Sequence, residues 1–256
     1  MGYRRYVAIG DSTTEGIDDP DGAGGYRGWA DRLAEHLAAA QGSVEYANLA
    51  VRGRTSRAIR EEQLAPALAL EPDVATVVAG VNDLFRRSST PAAVAADIEA
   101  MQRALVDAGA VVVTFTMPDL SPIVPLARVI RGKLEAINDG IRRASGRSGA
   151  RLLDLAAHPI STDPRLWSDD RLHANTRGHE RISRALAATL DLDGFDDWAD
   201  PLPPATRARM RAAAAAELAW WRGHFTPWVV RHLRGRSSGD GVTAKLPTPV
   251  TVTAPR

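Results

Sequence analysis

Val74–Asp83 reads VATVVAGVND. Its first seven residues are apolar apart from Thr76, with no in-and-out alternation of polarity. A strand with one wet face alternates, whereas a strand covered on both faces reads as a nearly continuous β-branched run. The stretch therefore predicts a central strand of a parallel sheet sandwiched by helices. It then stops at a glycine and delivers an asparagine and an aspartate. Four more short apolar runs stand out, Tyr6–Gly10 (YVAIG), Val44–Leu49 (VEYANL), Val111–Thr116 (VVVTFT) and Arg151–Leu155 (RLLDL), of which Val111–Thr116 is likewise nearly continuous in valine. Helical patterns lie between them. Trp29–Ala40 carries Leu33 and Leu37 four apart. Pro91–Ala108 opens with Thr90 as N-cap and Pro91 in the first turn, and stops at Gly109. Leu126–Ala144 and Thr176–Leu190 complete the set. Strand alternating with helix predicts a doubly wound α/β fold, with its site outside the carboxyl ends of the strands.

The chain has 256 residues, 45% of them hydrophobic, and a formal net charge of +1. That length suits one large domain or a domain with an appendage. The balanced charge gives no bias toward nucleic acid or a membrane surface. With no cysteine, disulfides, thiolate metal sites and cysteine nucleophiles are excluded. No apolar run is long enough to span a bilayer. The first strand starts by Tyr6, which leaves no room for a signal peptide and predicts a cytoplasmic protein. Only two lysines, Lys133 and Lys245, stand against thirty arginines, a composition associated with GC-rich genomes.

Residues 1–192 are read as the main domain and 193–235 as a helical extension packed on it. Asp191–Pro204 is acidic and proline-containing, as linkers are. Ala205–Arg222 is a strong helix former ending near Trp220 and Trp221, and Thr226-Pro227 caps a short helix, Trp228–Arg234, stopped by Gly235. These tryptophans, with Trp228, are expected to pack on the main domain, and Arg231, Arg234 and Arg236 to be solvated. Ser, Gly, Pro and Thr dominate residues 236–256, which predicts a disordered tail.

The strand ends bring chemistry together. The first delivers Gly10-Asp11-Ser12 and the second Asn48-Leu-Ala-Val-Arg-Gly53. The third delivers Gly80-Val-Asn82-Asp83, and the loop after the fifth runs Trp167-Ser-Asp-Asp170-Arg-Leu-His173. In this topology all gather on one edge of the sheet. Serine is a weak nucleophile, so it needs a histidine to take its proton. The histidine needs a carboxylate to hold its tautomer, and the tetrahedral oxyanion needs prearranged donors. Ser12, His173 and Asp170 could form the triad, and the N–H groups of Ser12 and Gly53 with the Asn82 side chain could form the oxyanion hole. Gly53 could instead be only a position of positive φ. No GxSxG elbow occurs. His36, His158, His179, His224 and His232 have no metal-ligand spacing and no HExxH is present, so no metal or other cofactor is expected. Asp21–Gly28 (DGAGGYRG) matches neither GxGxxG nor a Walker loop and is read as a loop beside the nucleophile.

These blocks resemble those of the SGNH hydrolases, also called GDSL-type esterases. Gly10-Asp11-Ser12 matches the nucleophile block, with Thr13 in place of the usual leucine. Gly53 falls at the glycine block, Gly80-Val-Asn82-Asp83 matches the asparagine block, and Asp170-Arg-Leu-His173 matches the DxxH block, which favours Asp170 over Asp169 as the triad acid. The resemblance covers Tyr6 to Leu190. It implies a flavodoxin-like three-layer α/β/α sandwich with a five-stranded parallel sheet, and hydrolysis of small or carbohydrate-linked acyl esters through an acyl-enzyme. An acyltransferase or thioesterase would use the same triad. A non-catalytic binding module on this scaffold would lack a triad residue, and none is missing.

Overall fold

The computed structural model describes residues 2–204, 239 and 241–254. Five strands, β1 (Arg5–Ile9), β2 (Ser43–Asn48), β3 (Val74–Val77), β4 (Val111–Phe115) and β5 (Arg151–Leu153), pair in parallel. Helix α1 (Ser12–Glu15) is a single turn after β1, and α2 (Gly28–Gln41) leads into β2. α3 (Ser56–Ala69) follows β2, and α4 (Val81–Leu84) and α5 (Pro91–Asp107) follow β3. α6 (Arg131–Ser148) links β4 to β5, and α7 (Thr176–Thr189) follows β5.

All five predicted strands form where the apolar runs placed them. Each layer of helices closes one core. On one face Trp29, Leu33 and Leu37 of α2 meet Ile182 and Leu186 of α7 over Tyr6, Ala8 and Val113. On the other, Ile59 of α3, Ile98 and Met101 of α5 and Ile137 and Ile141 of α6 cover Val7, Ile9, Val77 and Val112. The result is the expected three-layer α/β/α sandwich.

The sheet is larger than expected. A sixth strand, β6 (Leu246–Thr253), runs antiparallel along β2 and gives the order β5-β4-β3-β1-β2-β6. The disordered tail expected for 236–256 is thus corrected over these residues. Composition hid the strand, but Val250-Thr-Val-Thr253 is β-branched, and Pro247 and Pro249 are tolerated because β6 is an edge. The helix expected at Leu126–Ala144 starts later: Pro125–Ile130 forms a 3-10 turn, and α6 runs on to Ser148, where Gly149 at φ +82 caps it. α3, which carries Pro66, was not foreseen. The helices expected at 205–222 and 228–234, with Trp220, Trp221, Trp228, Arg231, Arg234, His224 and His232, lie outside the described residues. Among those described, no helix is long and apolar enough to cross a membrane.

Candidate active site

The parallel strand order 2-1-3-4-5 reverses between β1 and β3, and ligand sites open at such a switch point. Ser12 follows one of these strands and Asn82 the other. β1 ends into Gly10, where an added Cβ would sit 2.1 Å from Thr14 Oγ1 and 2.9 Å from the Val78 carbonyl, so only glycine fits the turn. Asp11 caps α1 by accepting the Thr13 N–H at 3.1 Å. Ser12 therefore occupies the first position of α1 and is 9% exposed.

His173 comes from the loop between β5 and α7. Trp167 and Ala174 bridge across its base, and the Asn175 amide donates to the carbonyls of Arg165 and Trp167, both at 3.0 Å, while its oxygen caps α7. Within this loop Asp170 Oδ1 accepts from Ser168 Oγ at 2.6 Å and from the N–H groups of Leu172 and His173 at 2.9 Å. Its Oδ2 lies 2.6 Å from His173 Nδ1, and His173 Nε2 lies 2.9 Å from Ser12 Oγ. Serine, imidazole and carboxylate, expected from distant blocks, thus form one line of two hydrogen bonds.

The electrostatics suit a base at the centre. Burial raises the Asp170 carboxyl, but the His173 ring, its charge, and the N–H and hydroxyl donors around it more than reverse this, leaving it ionised far below the usual range. Burial lowers the His173 imidazole, and the bond and charge of Asp170, then the charges of Asp18 and Asp11, outweigh it and raise it. Asp18 went unnoticed in the sequence. Its carboxylate stands 3.8 Å from His173 Nδ1, placed there by a backbone at φ +70. Asp169 is exposed.

The other predicted donors need a closer look. Gly53 has φ +76 and sits in the loop between β2 and α3. The Asn82 amide donates to Asp11 Oδ2 at 2.9 Å and to the Arg54 carbonyl at 3.0 Å. Its orientation is fixed, and both its N–H bonds are engaged in the free protein. Asp11 is fully buried, and burial pushes its carboxyl up to about 6, against the pull of the Thr13 N–H, His173 and Asn82. The Asp21–Gly28 loop is organised by Asp21, which accepts from the N–H groups of Ala23 and Gly25. His179 is structural: its Nδ1 accepts the Trp29 N–H and its Nε2 donates to the Ile17 carbonyl, while burial lowers it to about 4. Among the described residues, Asp18, Asp170 and His173 bring ligand atoms within 4.8 Å of one another. A cation there would have to displace the Nδ1–H bond to Asp170, so the arrangement fits a proton better than an ion. An apolar cavity between α7 and the His173 loop, lined by Leu155, Ile160, Trp167, Ile182 and Trp198, does not reach Ser12.

The model of the GDSL-like Lipase/Acylhydrolase family matches residues 8–181, a span that holds Ser12, Gly53, Asn82, Asp170 and His173. The chain belongs to the GDSL-like lipase/acylhydrolase family. Solved structures agree in fold with this GDSL-like protein. An alpha/beta hydrolase, LAE5, from the metagenome of Lake Arreo superposes with a TM-score of 0.62 at 21% identity, covering 73% of this chain and 95% of its own. The lipase/acylhydrolase of Enterococcus faecalis gives 0.60 at 21% identity, covering 73% and 95%. A variant of an acetylxylan esterase from Geobacillus stearothermophilus gives 0.62 at 15% identity, covering 79% and 99%. At such identities the likeness is one of fold. No curated protein matches the chain.

Proposed function

We propose that this GDSL-like hydrolase cleaves carboxylic esters with Ser12 as nucleophile, His173 as general base and Asp170 as the partner that holds the imidazole. The observation that carries the reading is the continuous line from Ser12 Oγ to His173 Nε2, 2.9 Å, and from Nδ1 to Asp170, 2.6 Å. Ser12 attacks the ester carbonyl while its proton passes to Nε2. Nδ1 keeps its proton toward Asp170, which stabilises the imidazolium without itself being protonated. The oxyanion is held by the N–H groups of Ser12 and Gly53 and by Asn82, which shares one of its two N–H bonds with it. The imidazolium then protonates the departing alcohol. Water, deprotonated by the same nitrogen, releases the acid and restores Ser12. The proposed substrates are small or carbohydrate-linked acyl esters, the class to which the substrate named for the Geobacillus neighbour belongs.

A fluorophosphonate probe, followed by peptide mapping, tests the assignment. It should modify Ser12 alone, and Ser12→Ala should lose turnover on p-nitrophenyl acetate while keeping its melting temperature. Modification of a different serine would overturn the reading. A panel of acyl p-nitrophenyl esters and acetylated sugars on the wild type then ranks the acyl and alcohol parts.

A further inference from the structure

We propose that Glu15 is a positioning residue for the oxyanion hole, holding the loop that carries Gly53 in register with the nucleophile; this rests on the roles proposed above for Ser12 and Gly53. Ser12 opens α1 and Glu15 closes it, so the two are one helical turn apart. Glu15 is 6% exposed, and a buried carboxylate demands partners. Arg52 supplies them. Its backbone N–H donates to Oε2 at 2.9 Å, its Nε lies 3.0 Å from Oε1 and 3.1 Å from Oε2, and its terminal nitrogen also bonds Oε1. The guanidinium carbon also lies over the Tyr26 ring, 5.4 Å from its centroid. Arg52 is the residue immediately before Gly53.

An ion pair of this kind, with Glu15 buried and Arg52 partly so, adds little net stability over an apolar pair of the same shape. What it does supply is direction, because a guanidinium and a carboxylate meet in a fixed planar geometry. Here that geometry spans the gap between nucleophile and donor loop. An oxyanion donor works only when aimed in advance at the developing charge, so a small rotation of residues 52–53 weakens it. Glutamine at position 15 keeps one acceptor oxygen for the Arg52 backbone N–H but turns an N–H₂ group toward the terminal guanidinium nitrogen, which loses its acceptor, so the planar two-oxygen pairing is broken.

The test is Glu15→Gln assayed on p-nitrophenyl acetate, with functional sites counted by end-point fluorophosphonate titration. The expected result is a kcat about 10- to 10²-fold lower, part of the loss seen when a whole oxyanion donor is removed. KM should stay within about two-fold, because the donor acts mainly in the transition state. The midpoint of the acid limb, set by His173, should not move, and affinity for phenylboronic acid should fall in step with kcat. Arg52→Gln keeps the backbone bond to Glu15 and should lie between wild type and Glu15→Gln; it carries the test if the latter does not fold. A wild-type kcat in the folded variants, a rise in KM alone, or a shifted acid limb overturns the inference while leaving Ser12 as nucleophile. Absence of probe on wild-type Ser12 instead overturns the parent reading, and this inference with it.

Discussion

Two aspartates precede His173, and only Asp170 turns its carboxylate onto the ring. Asp170→Asn should lower turnover strongly near neutral pH; the corresponding change in a serine protease costs about 10⁴. Here Asp18, 3.8 Å from Nδ1, still stabilises the imidazolium and should limit the loss. Asp169→Asn removes an exposed charge and should leave kcat/KM within a few-fold, about 1 kcal/mol of barrier. The comparison is decided by steady-state kinetics on variants of equal melting temperature, and a larger loss at Asp169 would refute the DxxH assignment. Asp18 gives a separate expectation. His173 must be neutral to take the Ser12 proton, so activity rises as pH passes upward through its folded pKa. That pKa is raised above 6.5, so the acid limb of kcat/KM should lie above 6.5. Asp18→Asn withdraws a negative charge that favours the imidazolium, and the limb should move to lower pH. An unmoved limb in the pH profile would remove Asp18 from the electrostatics of the site. Ser12 and Asn82 could be read from the sequence because each sits in a short block just after a strand, and Asp170 and His173 because they form a compact block in the loop that leads into α7. Asp18 could not, since only its left-handed backbone brings it round to His173.

At the scale of elements, α1 and α2 meet without side chains between them. A Cβ on Gly28 would lie 2.4 Å from Gly16 Cα, one on Gly16 would lie 2.6 Å from Gly28 Cα, and both residues have positive φ, +77 and +95. Gly28→Ala should therefore cost stability twice, through the clash and through the backbone, roughly 2–3 kcal/mol in total. Thermal unfolding should show a drop of roughly 5–10 °C. A wild-type midpoint would mean that the two segments separate easily. Neither the contact nor its partners were evident in the sequence, where Gly16 and Gly28 look like ordinary loop residues. The same limit explains the missed helix α3. Its buried positions are few, Ser56, Ile59, Gln63 and Ala67, and Pro66 argues against a helix unless the partner structure is known. β3 and β4 were the most legible strands because burial on both faces leaves almost only apolar and β-branched residues, a signal that needs no partner to be recognised, whereas β2, with Glu45 and Asn48, and β5, with Arg151, carry it more weakly.

For the whole molecule, β6 closes one side of the sheet. It covers the β2 edge and partly buries Leu246 and Val252 against the core beneath α2. Nearby, Lys245 donates to the Arg27 carbonyl at 2.6 Å and pairs with Asp31 at 2.9 Å. A chain ending at residue 245 should melt roughly 5 °C lower, from the loss of about 1 kcal/mol for each partly buried side chain together with the ladder. Hydrogen exchange should then accelerate in residues 43–48 and leave β4 and β5 protected; unchanged exchange in β2 would show that β6 adds nothing. The pairing of Ser43 with Thr253 also has a consequence for biosynthesis. Strands β1 to β5 can assemble as soon as α7 has left the ribosome. The edge beside β2, and the bond from the Lys245 N–H to the Ala50 carbonyl three residues before Gly53, must wait for residues made some two hundred positions after β2. A nascent chain halted before them would carry Ser12, Asp170 and His173 with its β2 edge bare, open to the same edge of another unfinished copy.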